Sequence, residues 1–160
     1  MVFIGIDPGV GGGIAAVSDD GVVIVTHKMP TTDRDVLDVV IGIGGSSRAM
    51  LEFVRSSPQM GVTSAFTFGS GYGRLRMALV AVGIPFDEVT PLTWQKALGC
   101  RTHGDKNVSK GRAQELFPTV TVTHAIADAL LIAEYARRVE RGLATRPKTP
   151  ADRRPSTRLF

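Results

Sequence analysis

The sequence has a single cysteine, Cys100, which excludes an internal disulfide framework and fits a reducing cytoplasm. It has no apolar run of the length needed to cross a bilayer, so no membrane-embedded function is expected. No basic region precedes its first apolar segment and no small-residue cleavage site follows, so no signal peptide is expected. Internal repeats are absent, which excludes a solenoid or propeller. The glycine-rich stretch Asp7-Pro8-Gly9-Val10-Gly11-Gly12-Gly13 resembles a phosphate cradle. It lacks the Gly-Lys-Ser/Thr of a Walker A loop, and it leads into a strand where the dinucleotide fingerprint needs a helix. Cys100 and His103 make half of a zinc pattern with no second pair at suitable spacing, so both read as structural. The one tryptophan, Trp94, reads as a core anchor for a short helix.

What remains is a chain of 160 residues, 43% hydrophobic and 21% charged, which suits one globular domain with a substantial core. Its formal charge of +4 is unevenly placed. Residues 1–140 carry 13 Lys/Arg against 14 Asp/Glu, whereas residues 141–160 carry Arg141, Arg146, Lys148, Arg153, Arg154 and Arg158 against Asp152 alone. Two units are therefore expected: a domain over 1–141 and a flexible basic tail over 142–160. Such a tail suits a polyanion such as nucleic acid, or serves only as a solubilising end.

Residues 1–7, 13–18 and 22–26 read as strands, with Asp20-Gly21 a hairpin signal, and together predict an antiparallel three-strand meander. A short helix is expected over 35–41 and a second buried strand over 49–54, parallel to the first because a crossover separates them. Residues 55–63 read as a polar loop, 68–82 as a helix, 85–90 as a further strand, 91–98 as a short helix behind Pro91, and 106–117 as a helix stopped by Pro118. Thr123 is the expected N-cap of a helix over 124–141, where Ile126, Ala129, Leu130, Ala133 and Ala136 recur at helical spacing. The pattern predicts an α/β domain whose mixed five-stranded sheet combines the meander with parallel strands and is flanked by helices.

Three carboxylates interrupt apolar elements: Asp7 and Glu52 on the two buried strands, and Asp128 on the last helix. If the strands are parallel neighbours, both acids project at one end of the sheet, where α/β proteins build sites. His124 precedes Asp128 by four residues and shares its helical face. Clustered carboxylates raise one another's pKa, and divalent cations relieve the repulsion. Oxygen-rich ligands with a histidine at the edge suit Mg²⁺ or Mn²⁺, and two such ions about 3.5–4 Å apart can hydrolyse a phosphodiester. Each residue also has a plainer reading: Asp7 as a turn former, Glu52 as a partner of an arginine, Asp128 as a complement to the helix dipole, His124 as a solvent-facing near-cap residue.

The segments Ile4-Gly5-Ile6-Asp7-Pro8-Gly9, Leu51-Glu52, Ser64-Ala65-Phe66-Thr67-Phe68-Gly69 and Ala127-Asp128-Ala129-Leu130 resemble RuvC-type Holliday junction resolvases of the ribonuclease H-like superfamily. Lys110-Gly111-Arg112-Ala113-Gln114-Glu115-Leu116-Phe117 and residues 127–137 are most similar to the phage-encoded branch. The resemblance runs over roughly residues 2–138. It implies a ribonuclease H-like fold and a homodimer that binds a four-way DNA junction, in the cytoplasm or, for a phage protein, the host cytoplasm. Each subunit would nick one strand symmetrically by Mg²⁺-dependent hydrolysis, with Mn²⁺ as a substitute and neither a small-molecule cofactor nor a membrane involved. It further implies Asp7, Glu52 and Asp128 as metal ligands and His124 near the position of a fourth. The spacing of His124 to Asp128 is four residues, where the family's cellular enzymes usually have three. Lys106 and Lys110 match the family's basic residues near the scissile phosphate, with Lys110 added to the catalytic set. A wedge aromatic is expected a few residues after the second acid; here Arg55 stands there, with Met60 on the following loop as a substitute and Arg76 as a further DNA contact. Dimerisation would use the helix over 68–82 with Leu75, Met77, Ala78, Leu79 and Val82, a face that a monomer would instead bury largely in its own core. A less selective nuclease acting on branched DNA, flaps or RNA is the alternative. A sugar- or acetate-kinase-like phosphotransferase would need two such domains, and a non-catalytic DNA-binding module would leave the acids without a role.

Overall fold

The computed structural model describes residues 1–55 and 59–147. Ser56, Ser57 and Pro58 of the expected loop lie outside the described residues, as do Lys148 and all that follows it, including Asp152, Arg153, Arg154 and Arg158 of the basic tail. The elements run β1 (Val2–Asp7), β2 (Gly13–Ser18), β3 (Val23–Lys28), α1 (Asp33–Ile43), β4 (Ser47–Glu52), α2 (Val62–Val82), β5 (Phe86–Val89), α3 (Pro91–Leu98), α4 (Lys106–Leu116) and α5 (His124–Glu140).

One sheet of five strands has the order β3-β2-β1-β4-β5. β1 pairs antiparallel with β2 and β2 antiparallel with β3, while β4 is parallel to both β1 and β5. This is the expected meander joined to parallel strands. β1 is central and near-continuously apolar because helices cover both of its faces. Phe3, Met50, Ala15 and Val17 bury on one side against α3, α4 and α5. Ile4, Ile6, Ala49, Leu51 and Ile14 bury on the other against α1 and α2. Among the described residues no helix is long and apolar enough to cross a membrane.

Differences from the expected bounds have physical causes. α2 begins at Val62, six residues before the expected start, with Gly61 at its N-cap position. Gly69, Gly71 and Gly73 argue against helix by about 1 kcal/mol each relative to alanine. Tertiary packing overrides them: Leu75, Ala78 and Leu79 bury in the sheet's second layer, and the Tyr72 ring meets Phe53 edge-on and stacks near Phe68. Of the two readings of this face, Leu75, Ala78 and Leu79 follow burial in this chain's own core, and Val82 is half-buried beside them. Of the expected interface residues, Met77 is the exposed one. α1 is longer than expected because Thr32 caps it, its hydroxyl accepting from Asp35 N–H at 3.1 Å. β4 is shifted two residues towards the N-terminus, because Ser47 and Arg48 are polar yet join the ladder with β1. Thr123 occupies the N-cap position of α5, but its carbonyl, not its hydroxyl, receives the first-turn N–H groups of Ile126 and Ala127.

α5 is fastened at its far end as well. Arg137 and Arg138 both donate to the buried Glu134, and Arg137 also donates to the Asp19 carbonyl in the β2–β3 turn at 3.1 Å. Beyond α5 the described part of the tail packs back: the Tyr135 hydroxyl donates to the Thr145 carbonyl at 2.6 Å, and Arg146 lies 3.3 Å from Glu140 and 3.7 Å from Asp87.

Candidate active site

Strand alternation decides where the acids point. Asp7 follows Phe3 and Gly5 on the α5 side of β1, and Glu52 follows Met50 on the same side of β4. The parallel register pairs Ile6 with Leu51, so the two acids come next, side by side, at the C-terminal ends of neighbouring strands.

α5 brings the third acid, and glycines let it approach. A Cβ on Gly5 would stand 2.1 Å from the Ala129 carbonyl oxygen and 2.3 Å from the Ala133 nitrogen. Only a residue without a side chain lets the helix lie this close to β1. Asp128 immediately precedes Ala129 and is carried over the end of the strand. At the same end, a Cβ on Gly13 would meet the Ala125 carbonyl oxygen at 2.6 Å, and one on Gly12 would meet the Asp7 carboxyl carbon at 2.8 Å. Among the described residues nothing lies near Gly9 or Gly11, so the glycine run divides into two that fit the site and two that serve the exposed turn.

The three acids feel one another. Burial, and next the charge of Asp128, push Asp7 up to about 6, while Lys106 opposes the rise. Glu52 is 7% exposed; burial, and next the charge of Asp7, push it up to about 8 against a lowering hydrogen bond from Trp94. Burial also raises Asp128, which Ser109, Lys106 and His124 draw back down. The Trp94 indole N–H donates to Glu52 Oε1 at 2.8 Å in a buried setting. Glu52 thus has a tryptophan where its plainer reading supplied an arginine.

Among the described residues no three His, Cys, Asp or Glu side chains are drawn together tightly enough to cage an ion as they stand. The acids form a coupled cluster, not a closed ligand set. The chemistry still suits a hard divalent cation: Asp128 Oδ1 is buried with no hydrogen-bond partner among the described residues, beside two carboxylates whose ionisation burial and mutual repulsion resist.

The other candidates divide. Lys106 and His124 are exposed at the rim and lie near enough to influence the acids. Lys110 is one turn further along α4 and half-buried. Arg55 is exposed, its guanidinium 5.3 Å from the Phe53 ring centre. Met60 lines a mainly apolar groove of about 800 Å³ beside the Pro8-Gly9 turn, together with Phe66, Phe68 and Tyr72. Arg76 is not brought to the acids; its Nε lies 3.4 Å from Glu88, which is paired with Leu51 and so belongs to the opposite face of the sheet. Cys100 is buried, which pushes its thiol up to about 11, and among the described residues no zinc pattern forms around it.

Sequence reasoning missed the contact of Trp94 with Glu52, the place of Ser109 and the approach at Gly5. A lone buried tryptophan does signal that its N–H needs an acceptor. Which acceptor follows only from the pairing of β4 with β5.

No protein-family model and no curated protein matches the chain. Solved structures do. Thermus thermophilus RuvC aligns with a TM-score of 0.69 at 22% identity, over 90% of this chain and 98% of that one. Thermus thermophilus RuvC in complex with a Holliday junction substrate aligns with a TM-score of 0.69 at 21% identity over the same shares. The chain therefore has the ribonuclease H-like fold of RuvC, with its acids at the C-terminal end of the sheet's parallel strands.

Proposed function

We propose that this protein is a structure-selective endonuclease that resolves four-way DNA junctions by metal-dependent phosphodiester hydrolysis, placing paired symmetric nicks as a homodimer. The observation that carries the reading is the convergence of Asp7, Glu52 and Asp128, from β1, β4 and α5, on one face at one end of the sheet. The likeness to RuvC bound to a Holliday junction supports the choice of substrate.

Asp7, Glu52 and Asp128 would hold Mg²⁺, or Mn²⁺ in its place, with His124 at the edge of the set. A cation held there would lower the pKa of a water and offset charge on the phosphate. Burial keeps bulk water from competing for the carboxylates. Lys106 offers a positive charge at the rim, where negative charge develops on the phosphate in the transition state. Lys110 and Arg55 extend that positive edge towards the flanking DNA.

The dimer would use the outer face of α2. Val62, Phe66, Met77 and Val80 are 60–88% exposed. They fall on one stripe with Gly69 and Gly73, whose missing side chains let a second helix approach.

The test is Mg²⁺-dependent cleavage of a labelled four-way junction beside a flap and a linear duplex. Preferred cutting of the junction is expected, with Asp7→Asn, Glu52→Gln and Asp128→Asn each abolishing cleavage while preserving binding. Full activity in any of the three removes that residue from the site. Equal cutting of all three substrates favours the less selective nuclease.

A further inference from the structure

We propose that Trp94 is a positioning residue of the acid cluster: its indole N–H occupies Glu52 Oε1 and leaves Oε2 as the oxygen that Glu52 offers a divalent cation. The inference rests on the metal-dependent reading above and specifies how one ligand meets the ion.

Topology places the tryptophan there. Val89 ends β5 as the partner of Glu52 in the parallel register, and Phe53 N–H donates to the Val89 carbonyl at 2.7 Å. α3 then starts at once, with Thr90 at the N-cap and Pro91 in the first turn. Trp94, fourth in the helix, comes to lie over the end of β4. It is 0% exposed and Glu52 is 7% exposed, and the bond between them is 2.8 Å long.

The chemistry of the pair is one-sided. An indole has one donor and no acceptor, so the bond cannot reverse. A hydrogen bond to a carboxylate in a low-dielectric setting is about twice as strong as a neutral one. Glu52 has three side-chain torsions, and fixing one oxygen removes most of that freedom from the other. One lone pair of Oε1 is thereby committed, which leaves Oε2 the freer oxygen that Glu52 would offer the ion. A phenylalanine at 94 would fill much of the space and leave Oε1 buried without a partner. Outer partners that orient metal ligands typically contribute about ten- to a hundredfold in metal affinity or activity.

Because Trp94 is the only tryptophan, the protein has one indole N–H resonance, which serves as a direct probe. In the wild-type chain it should move saturably on Mg²⁺ addition. Glu52→Gln, which leaves Trp94 in place, should displace the resonance in the metal-free protein and abolish its response to Mg²⁺. Trp94→Phe should weaken Mn²⁺ binding by calorimetry about ten- to a hundredfold. It should raise the Mg²⁺ concentration for half-maximal cleavage in step, with the loss made good by added metal. Equal Mn²⁺ affinity in Trp94→Phe and wild type overturns the proposal. So does an indole resonance that ignores both Mg²⁺ and Glu52→Gln, a result that stands even if Trp94→Phe does not fold. A wild-type chain that binds neither cation and cuts nothing overturns the metal-dependent reading itself and Trp94's role with it.

Discussion

Gly5→Ala tests how the acids are brought together, because it adds one methyl group to the seam between β1 and α5. That methyl would stand 2.1 Å from the Ala129 carbonyl oxygen, 2.3 Å from the Ala133 nitrogen and 2.9 Å from the Ala133 Cα. Contact with oxygen falls short by roughly 1 Å or more. Every obstructing atom is main chain, so no rotamer change relieves the clash, and α5 must lift or β1 must bow. Overpacking of this kind costs about 1–3 kcal/mol, and occasionally more. The upper end is expected here because the obstruction is rigid. For a domain of this size, about 3 kcal/mol lowers the melting temperature by roughly 6–12 °C. The same displacement moves Asp128 relative to Asp7, and about 1 Å of misplacement can cost on the order of a hundredfold in rate. The assays are thermal unfolding and single-turnover junction cleavage at a temperature where the variant is fully folded. Gly9→Ala and Gly11→Ala are the controls, since none of the described residues lies near either position; both should change little. If Gly5→Ala melts and cuts like Gly9→Ala, the account of how α5 is seated is wrong.

Asp7 is pushed up to about 6 and Glu52 to about 8, so between about pH 4 and 8 the folded chain keeps protons that the unfolded chain has released. Stability of the metal-free protein should therefore fall as pH rises through that window and level off above it, by a few kcal/mol in order of magnitude. Urea midpoints at pH 5 and 8.5 check this, with Glu52→Gln removing the upper part of the slope; a profile rising over that range contradicts it. Near pH 4, Glu134 works the other way, since Arg137 and Arg138 hold its carboxyl below the usual range despite its burial. Deleting residues 148–160 removes Lys148, Arg153, Arg154 and Arg158, and should weaken junction binding and flatten its log–log salt slope by up to about 3–4; an unchanged slope shows that these charges do not contact DNA. Phe66→Asp or Met77→Glu should give a monomer by light scattering with its melting temperature little changed, whereas a persistent dimer moves the interface off α2.

Much of the fold was legible because the strands are read by alternation and α5 by its apolar stripe. Asp7, Glu52 and Asp128 stood out because a carboxylate within an apolar run needs a reason. The start of α2 was not legible: local glycine chemistry points one way and the packing of Leu75 and Leu79 the other. Lys106 could be read from likeness alone, since its influence on Asp7 and Asp128 arises from the packing of α4 against α5. Arg76 lies away from the acids because a helix of 21 residues presents every azimuth, and only the sheet decides which one meets them. Trp94 and Gly5 were hidden for a shared reason: their meaning depends on which distant segment lies opposite.

The contact between β1 and α5 at Gly5 has a bearing on what sequence the fold demands. A junction made of main-chain atoms asks for the absence of a side chain at one place and for little else along its length. Such a contact depends on main-chain positions and not on the identity of an interlocking side chain. A seam of this kind is compatible with the 22% identity at which the chain aligns with Thermus thermophilus RuvC over 90% of its length.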